Sequence, residues 1–189
     1  MSVRKTFAIV LFSMLLTRVA EAQMSPPVPP ASPPQNCTAP EHKQFDFWVG
    51  DWEVYLTDKP EQMVGGSLIE KIYGDCVIRE NWQPFTLQAG GSLNNYDSEE
   101  KIWRQTWVDS QNSRVDFAGG LEGGKMVLTG PWKGSGGPGK DRLTRMTFSS
   151  EAGGAVRQLG EVSSDGGKSW SESFDFTYKP RRKPAGEGQ

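Results

Sequence analysis

Three polar side chains sit between large apolar neighbours at a spacing of two. Glu80 lies between Ile78 and Trp82, Gln105 between Trp103 and Trp107, and Glu172 between Trp170 and Phe174. In an extended chain residues i and i+2 share a face, so each polar group shares a side with rings or aliphatic groups. If those sides turn inward, one interior holds carboxylates, an amide and indoles. Two uses of such an interior follow. In the first, Trp52, Trp82, Trp103 and Trp107 form the wall of a pocket, and Glu80 and Gln105 anchor a small apolar or amphipathic ligand held non-covalently. In the second, burial raises the pKa of Glu80, which then acts as acid or base in a hydrolase or isomerase. A blander reading stands beside both: the aromatics face outward, or a satisfied polar network simply fills the interior.

Other chemistries find less support. Glu80 with Glu172 would serve as a glycosidase pair only at a defined separation, which strand spacing does not set. Buried carboxylates need partners; Arg145 and Arg157 are the candidates, although Arg145 falls opposite Met146 and Phe148 in strand parity. His42 is the only histidine, and no H-x-H, C-x-x-C or H-E-x-x-H is present, so no metal site and no cofactor are expected. The glycine runs at 119–124 and 134–140 lie between strand-like segments and not ahead of a long helix, which sets them apart from phosphate cradles.

The elements that would position these residues begin at Phe45-Asp46-Phe47-Trp48-Val49-Gly50-Asp51-Trp52-Glu53-Val54. Phe45, Trp48 and Val49 share a helical face. The segment is too short to be stable alone, so it must dock on something apolar. From Gly50 the period becomes two, with Trp52, Val54 and Leu56 on one side and Asp51, Glu53 and Tyr55 on the other. Further strand-like runs follow at 67–73, 77–85, 89–96, 101–109, 114–118, 125–129, 143–149, 156–162 and 169–178, divided by Gly, Asn and Asp. Ten strands with short links and no crossover helix predict an all-β, up-and-down antiparallel meander. Edges this apolar favour closure into a barrel, with the short N-terminal helical segment as a plug. Ser163-Ser164-Asp165-Gly166-Gly167-Lys168-Ser169-Trp170 fits the S-x-D-x-G-x-x-W pattern that propellers repeat. A single copy reads as a hairpin turn, with Asp165 accepting backbone N–H bonds and Trp170 packed beneath it.

With these residues in view, the chain resembles a family of exported, mostly bacterial proteins that have a lipocalin-like (calycin) barrel and no established activity. The matching pieces are the F-D-F-W-x-G-x-W stretch from Phe45 to Trp52, Glu80-Asn81-Trp82, Trp103-Arg104-Gln105-Thr106-Trp107-Val108-Asp109, and Val156-Arg157-Gln158 leading to Asp165-Gly166-Gly167. The likeness covers about residues 41–179 and implies the barrel. A more distant likeness is to nitrobindin, whose haem hangs on a histidine late in the chain. No histidine follows His42 here, so haem is not carried over.

The remaining segments speak to destination. Arg4 and Lys5, an apolar run over 7–16 and Ala20-Glu21-Ala22 form a signal-peptide pattern over 1–22. Its loss removes three basic residues and one acidic residue, taking the formal net charge from −2 to −4. That balance argues against a nucleic-acid partner. No later stretch is long and apolar enough to be a transmembrane helix. Residues 23–40 hold seven prolines and read as an extended linker, which as an arm across an envelope would also suit a scaffold or interaction module. Residues 41–179 are the barrel, and 180–189 a polar tail expected to be disordered. Export makes a disulfide between Cys37 and Cys76, the only cysteines, the expected pairing. A secreted or periplasmic one-domain barrel is the resulting expectation, with its oligomeric state open.

Overall fold

Phe45 and Trp48 stack because the chain around them winds more tightly than an α-helix. Two 3-10 turns, Pro40–Lys43 and Asp46–Trp48, precede the sheet. In this winding side chains at i and i+3 eclipse, and the two rings lie 4.9 Å apart and nearly parallel. Both are fully buried. Covering each ring stabilises the docked plug by about 2–3 kcal/mol. The structure, a computed structural model, describes residues 37–182. The expected signal peptide, most of the linker and residues 183–189 of the tail lie outside that range.

The plug feeds a closed antiparallel barrel of ten strands. They are β1 Gly50–Leu56, β2 Met63–Ile72, β3 Val77–Pro84, β4 Gly90–Asp97 and β5 Ile102–Asp109. The second half is β6 Arg114–Glu122, β7 Lys125–Trp132, β8 Arg142–Ser150, β9 Val156–Ser163 and β10 Ser171–Pro180. Each strand pairs with its sequence neighbours, and β1 closes on β10 through pairs such as Val54 with Tyr178. The predicted up-and-down meander with its short N-terminal helical plug is what forms, and it is lipocalin-like in architecture.

Alternation decides what faces the axis. On β1 Trp52 and Val54 are buried while Asp51 is exposed. On β5 Trp103 and Gln105 are buried while Arg104 is exposed. The outer faces carry ion pairs, among them Arg145–Glu161 at 2.7 Å and Arg157–Asp175 at 2.6 Å. A barrel that spans a lipid bilayer would show an apolar outer band there instead. No helix among the described residues is long and apolar enough to cross a membrane.

The plug closes one end of the barrel. The Trp52 indole N–H donates to the Trp48 carbonyl at 2.9 Å. Phe45 meets Trp103 and Phe148 edge-on. Lys71 on β2 holds the Asp46 carboxylate with bonds of 2.8 and 2.9 Å. The Cys37–Cys76 disulfide ties the incoming chain to the β2–β3 turn. That turn has Tyr73, Gly74 and Asp75 at positive φ. The φ of Gly50 is ordinary, but a Cβ there would come within 2.8 Å of the Trp52 ring; glycine makes room for the indole that seals the floor.

At the C-terminal end of β10, also on the sealed side, the sheet runs slightly past the predicted limit. Lys179 and Pro180 still pair with Glu53 and Trp52. The Arg181 backbone N–H donates to the Asp51 carbonyl, and its guanidinium to the Asp51 carboxylate, both at 2.8 Å.

Candidate functional site

Above the plug, the lumen opens into a cavity of about 320 Å³. Its upper wall is aromatic. Trp82 stacks on Phe176 with centroids 5.8 Å apart, and Phe176 stacks on Phe174 at 4.7 Å. Trp107 and Trp132 also line the cavity. The Trp107 N–H is engaged by the Asp109 carboxylate at 3.2 Å. Two glycines make this wall possible. A Cβ at Gly160 would meet the Phe174 ring at 2.3 Å, and one at Gly90 would meet the Trp107 ring at 2.6 Å.

Beneath the rings lies a polar layer. Ser92 Oγ donates to Glu80 Oε2 at 2.8 Å. Asn94 Nδ2 donates to Ser92 Oγ and to the Ile78 carbonyl, both at 3.0 Å. Gln105 Nε2 donates to Asn94 Oδ1 at 2.7 Å. These four side chains thus form one line of donors ending on a carboxylate. The Tyr178 hydroxyl donates to Gln158 Oε1 at 2.5 Å. Each of these groups is buried, Glu80 at 7% exposure and Asn94 at 0%.

Electrostatics follow from that burial. The Glu80 carboxyl is pushed up to about 7 by loss of solvent, and the Ser92 bond only partly offsets this. Burial also pushes the Tyr178 phenol well above its ordinary value, and the charge on Glu80 adds to that. A carboxylic acid that titrates near neutrality can donate a hydrogen bond, accept one or take up a proton.

Of the residues singled out from sequence, Glu80, Trp82, Gln105 and Trp107 come together on the cavity wall. Trp52 and Trp103 do not: both belong to the sealed end. Trp52 packs edge-on against Tyr178, and Trp103 donates its N–H to Gln44 Oε1 at 3.1 Å. They share a strand face with cavity residues, but at a different height along the axis. Glu172 is corrected more sharply. The β9–β10 register shifts between Glu172 and Phe174, and this bulge turns Glu172 out to solvent. Glu80 and Glu172 therefore share no interior. Arg145 and Arg157 pair with Glu161 and Asp175 on the outside, so the partner of Glu80 is the Ser92 hydroxyl and not an arginine.

Several lining residues escaped the sequence reading. Trp132 lies beyond Thr129, where the expected strand ended; alternation through Met126, Leu128, Gly130 and Trp132 was the available signal. Ser92 and Asn94 were hidden by an inverted pattern, since the apolar Leu93 between them points outward and is 48% exposed. The single S-x-D-x-G-x-x-W copy, Ser163 to Trp170, is a turn, as expected. Asp165 Oδ1 accepts from the backbone N–H groups of Lys168 and Ser169 at 3.0 and 2.9 Å. Gly166 and Gly167 take positive φ, and Trp170 donates to the Gly167 carbonyl. Among the described residues no group of three or more His, Cys, Asp or Glu is gathered as metal ligands.

Fold and cavity together define a lipocalin-like barrel, sealed by an aromatic plug at one end and hollow at the other. No protein-family model matches the sequence, and comparison with curated proteins finds no match.

Proposed function

We propose that this chain is an exported small-molecule-binding barrel that holds an apolar or amphipathic ligand non-covalently in its lumen. The observation that carries this reading is the 320 Å³ cavity with rings above and a hydrogen-bonded polar layer below. Sites for small ligands begin at about 300 Å³ and combine apolar walls with a few oriented polar groups. The volume matches roughly ten waters at ~30 Å³ each, which suits a ligand of one or two rings. Export is supported by the signal-peptide pattern over 1–22 and by the Cys37–Cys76 disulfide, a bond favoured outside the cytoplasm. The likeness to exported calycin barrels points the same way.

Titration with small aromatic and amphipathic compounds, read by intrinsic tryptophan fluorescence, tests the reading. Trp82, Trp107 and Trp132 line the cavity, so a ligand produces a saturable change in emission. Ser173, the exposed extra residue of the β10 bulge, also lines it. Ser173→Trp fills the space and abolishes the response. No saturable response in the wild type, or an identical one in Ser173→Trp, sinks the reading.

A second reading, acid or base chemistry by Glu80, rests on its titration near neutrality. A hydrolase and isomerase screen of wild type against Glu80→Gln tests it. Activity that survives the substitution removes Glu80 from catalysis.

A further inference from the structure

We infer that the cavity selects an organic cation, a protonated amine on a one- or two-ring body, with Glu80 as its counter-ion. This inference rests on the binding-barrel reading and adds the charge of the ligand. Three observations carry it. First, Ser92 satisfies only Oε2 of Glu80, and among the described residues Oε1 has no hydrogen-bond partner, although Glu80 lines the cavity. Second, among the described residues the lining contains no Lys, Arg or His, and Glu80 and Tyr178 are its only ionisable groups. An anionic ligand would meet a carboxylate with no cation to balance either charge, at a cost that low dielectric magnifies. Third, the wall above is built from Trp82, Trp107, Trp132, Phe174 and Phe176. Ring faces attract ammonium groups, and such walls recur in sites for organic cations. A buried acid with one oxygen unbonded among the described residues and a ring of aromatics are both left over by the barrel's own structure. An amine satisfies the two together.

The groups facing Glu80 set how pH enters. Ile69 is its neighbour across β2 and Ser92 across β4; Gln105, Gln158 and Tyr178 share the cavity. Tyr178 stays a neutral phenol through the neutral range, and the others do not titrate. Loss of the Glu80 proton is therefore the one change of charge on the wall near neutrality. Binding of a cation strengthens as pH rises through about 7, and releases protons from the protein.

Calorimetric titration with a matched series separates the cases: 2-naphthylethylamine, 2-naphthylethanol and 2-naphthylacetate. At about pH 8.5 the amine, still protonated, binds about tenfold or more tighter than the alcohol, and the acetate binds weakest. At about pH 5.5, where Glu80 is protonated, the preference for amine over alcohol shrinks. In Glu80→Gln it falls severalfold and no longer depends on pH, while the alcohol still binds. An alcohol that binds as well as the amine in the wild type, or a preference undiminished in Glu80→Gln, overturns the inference but leaves the binding barrel standing. Failure of all three compounds to bind overturns both.

Discussion

Ser92 donates its hydroxyl proton to Glu80 Oε2 at 2.8 Å, and no charged group among the described residues joins them. A carboxyl group in the lumen of the barrel is thus held by one neutral hydrogen bond at the base of an aromatic-walled space. The consequences for pH, for packing and for the sealed end differ, and each can be measured.

Glu80 makes the protein less stable as pH rises from about 4.5 to about 7. Its proton is held more tightly in the folded state, at about 7, than at the ordinary 4.5. Between those values the folded state carries the extra proton, so stability falls with rising pH and the penalty is complete above about 7. Its size is up to about 3 kcal/mol. Urea unfolding of wild type at about pH 5.5 and 8.5 shows this fall. Glu80→Gln flattens the profile and is the more stable protein at the alkaline end.

Replacing Trp52 with Phe tests the floor. The change removes the N–H that satisfies the Trp48 carbonyl and leaves that acceptor buried. A loss of roughly 1–3 kcal/mol is expected in the urea midpoint. Trp103→Phe removes a bond to the Gln44 side chain, which can turn to water, so it costs less.

Reduction of the Cys37–Cys76 disulfide frees the plug segment from the β2–β3 turn. The two residues are 39 apart in sequence, and closing such a loop stabilises by roughly 4 kcal/mol in the chain-entropy model. Thermal unfolding with and without reductant reads the difference. The double variant Cys37→Ser, Cys76→Ser, insensitive to reductant, falls at the reduced value.

Gly160→Ala moves the aromatic wall. The added methyl group would sit 2.3 Å from the Phe174 ring, so the ring must swing away and the Phe174–Phe176 stack is lost. Overpacking of this kind costs about 1–3 kcal/mol. Binding of 2-naphthylethanol weakens by a larger factor in this variant than in Leu93→Ala, which lies on the outer face.

Much of this arrangement was legible in the order of residues, and the reasons are local. Period-two alternation places Trp103, Gln105 and Trp107 on one side, because a pleated strand leaves a side chain no other choice. Gly50-Asp51-Trp52 marks the entry to the first strand, and the Asp165 turn is built from neighbours in sequence. The bulge at Ser173 was not legible. Nothing in Ser171-Glu172-Ser173-Phe174 signals an extra residue, yet it reverses the side on which Glu172 lies. Leu93 was misleading because polar residues fill the inner face of β4 while an apolar one faces out.

Composition and periodicity, read along the chain, were enough to specify ten antiparallel strands and a plug, and the export pattern made a bonded cysteine pair the expectation; they put Glu80 on one face with Ile78 and Trp82 but left open which way that face turned. Those features depend on dihedral preference and burial, which act between near neighbours or over a whole face. Only the closed barrel decided the height of each side chain along its axis. It sent Trp52 and Trp103 to the sealed end, brought Trp82, Trp107 and Trp132 to the hollow one, and gave Glu80 a serine and not an arginine for company. Height and partner depend on register between strands and on the shear of the closed sheet, and no single strand carries that information.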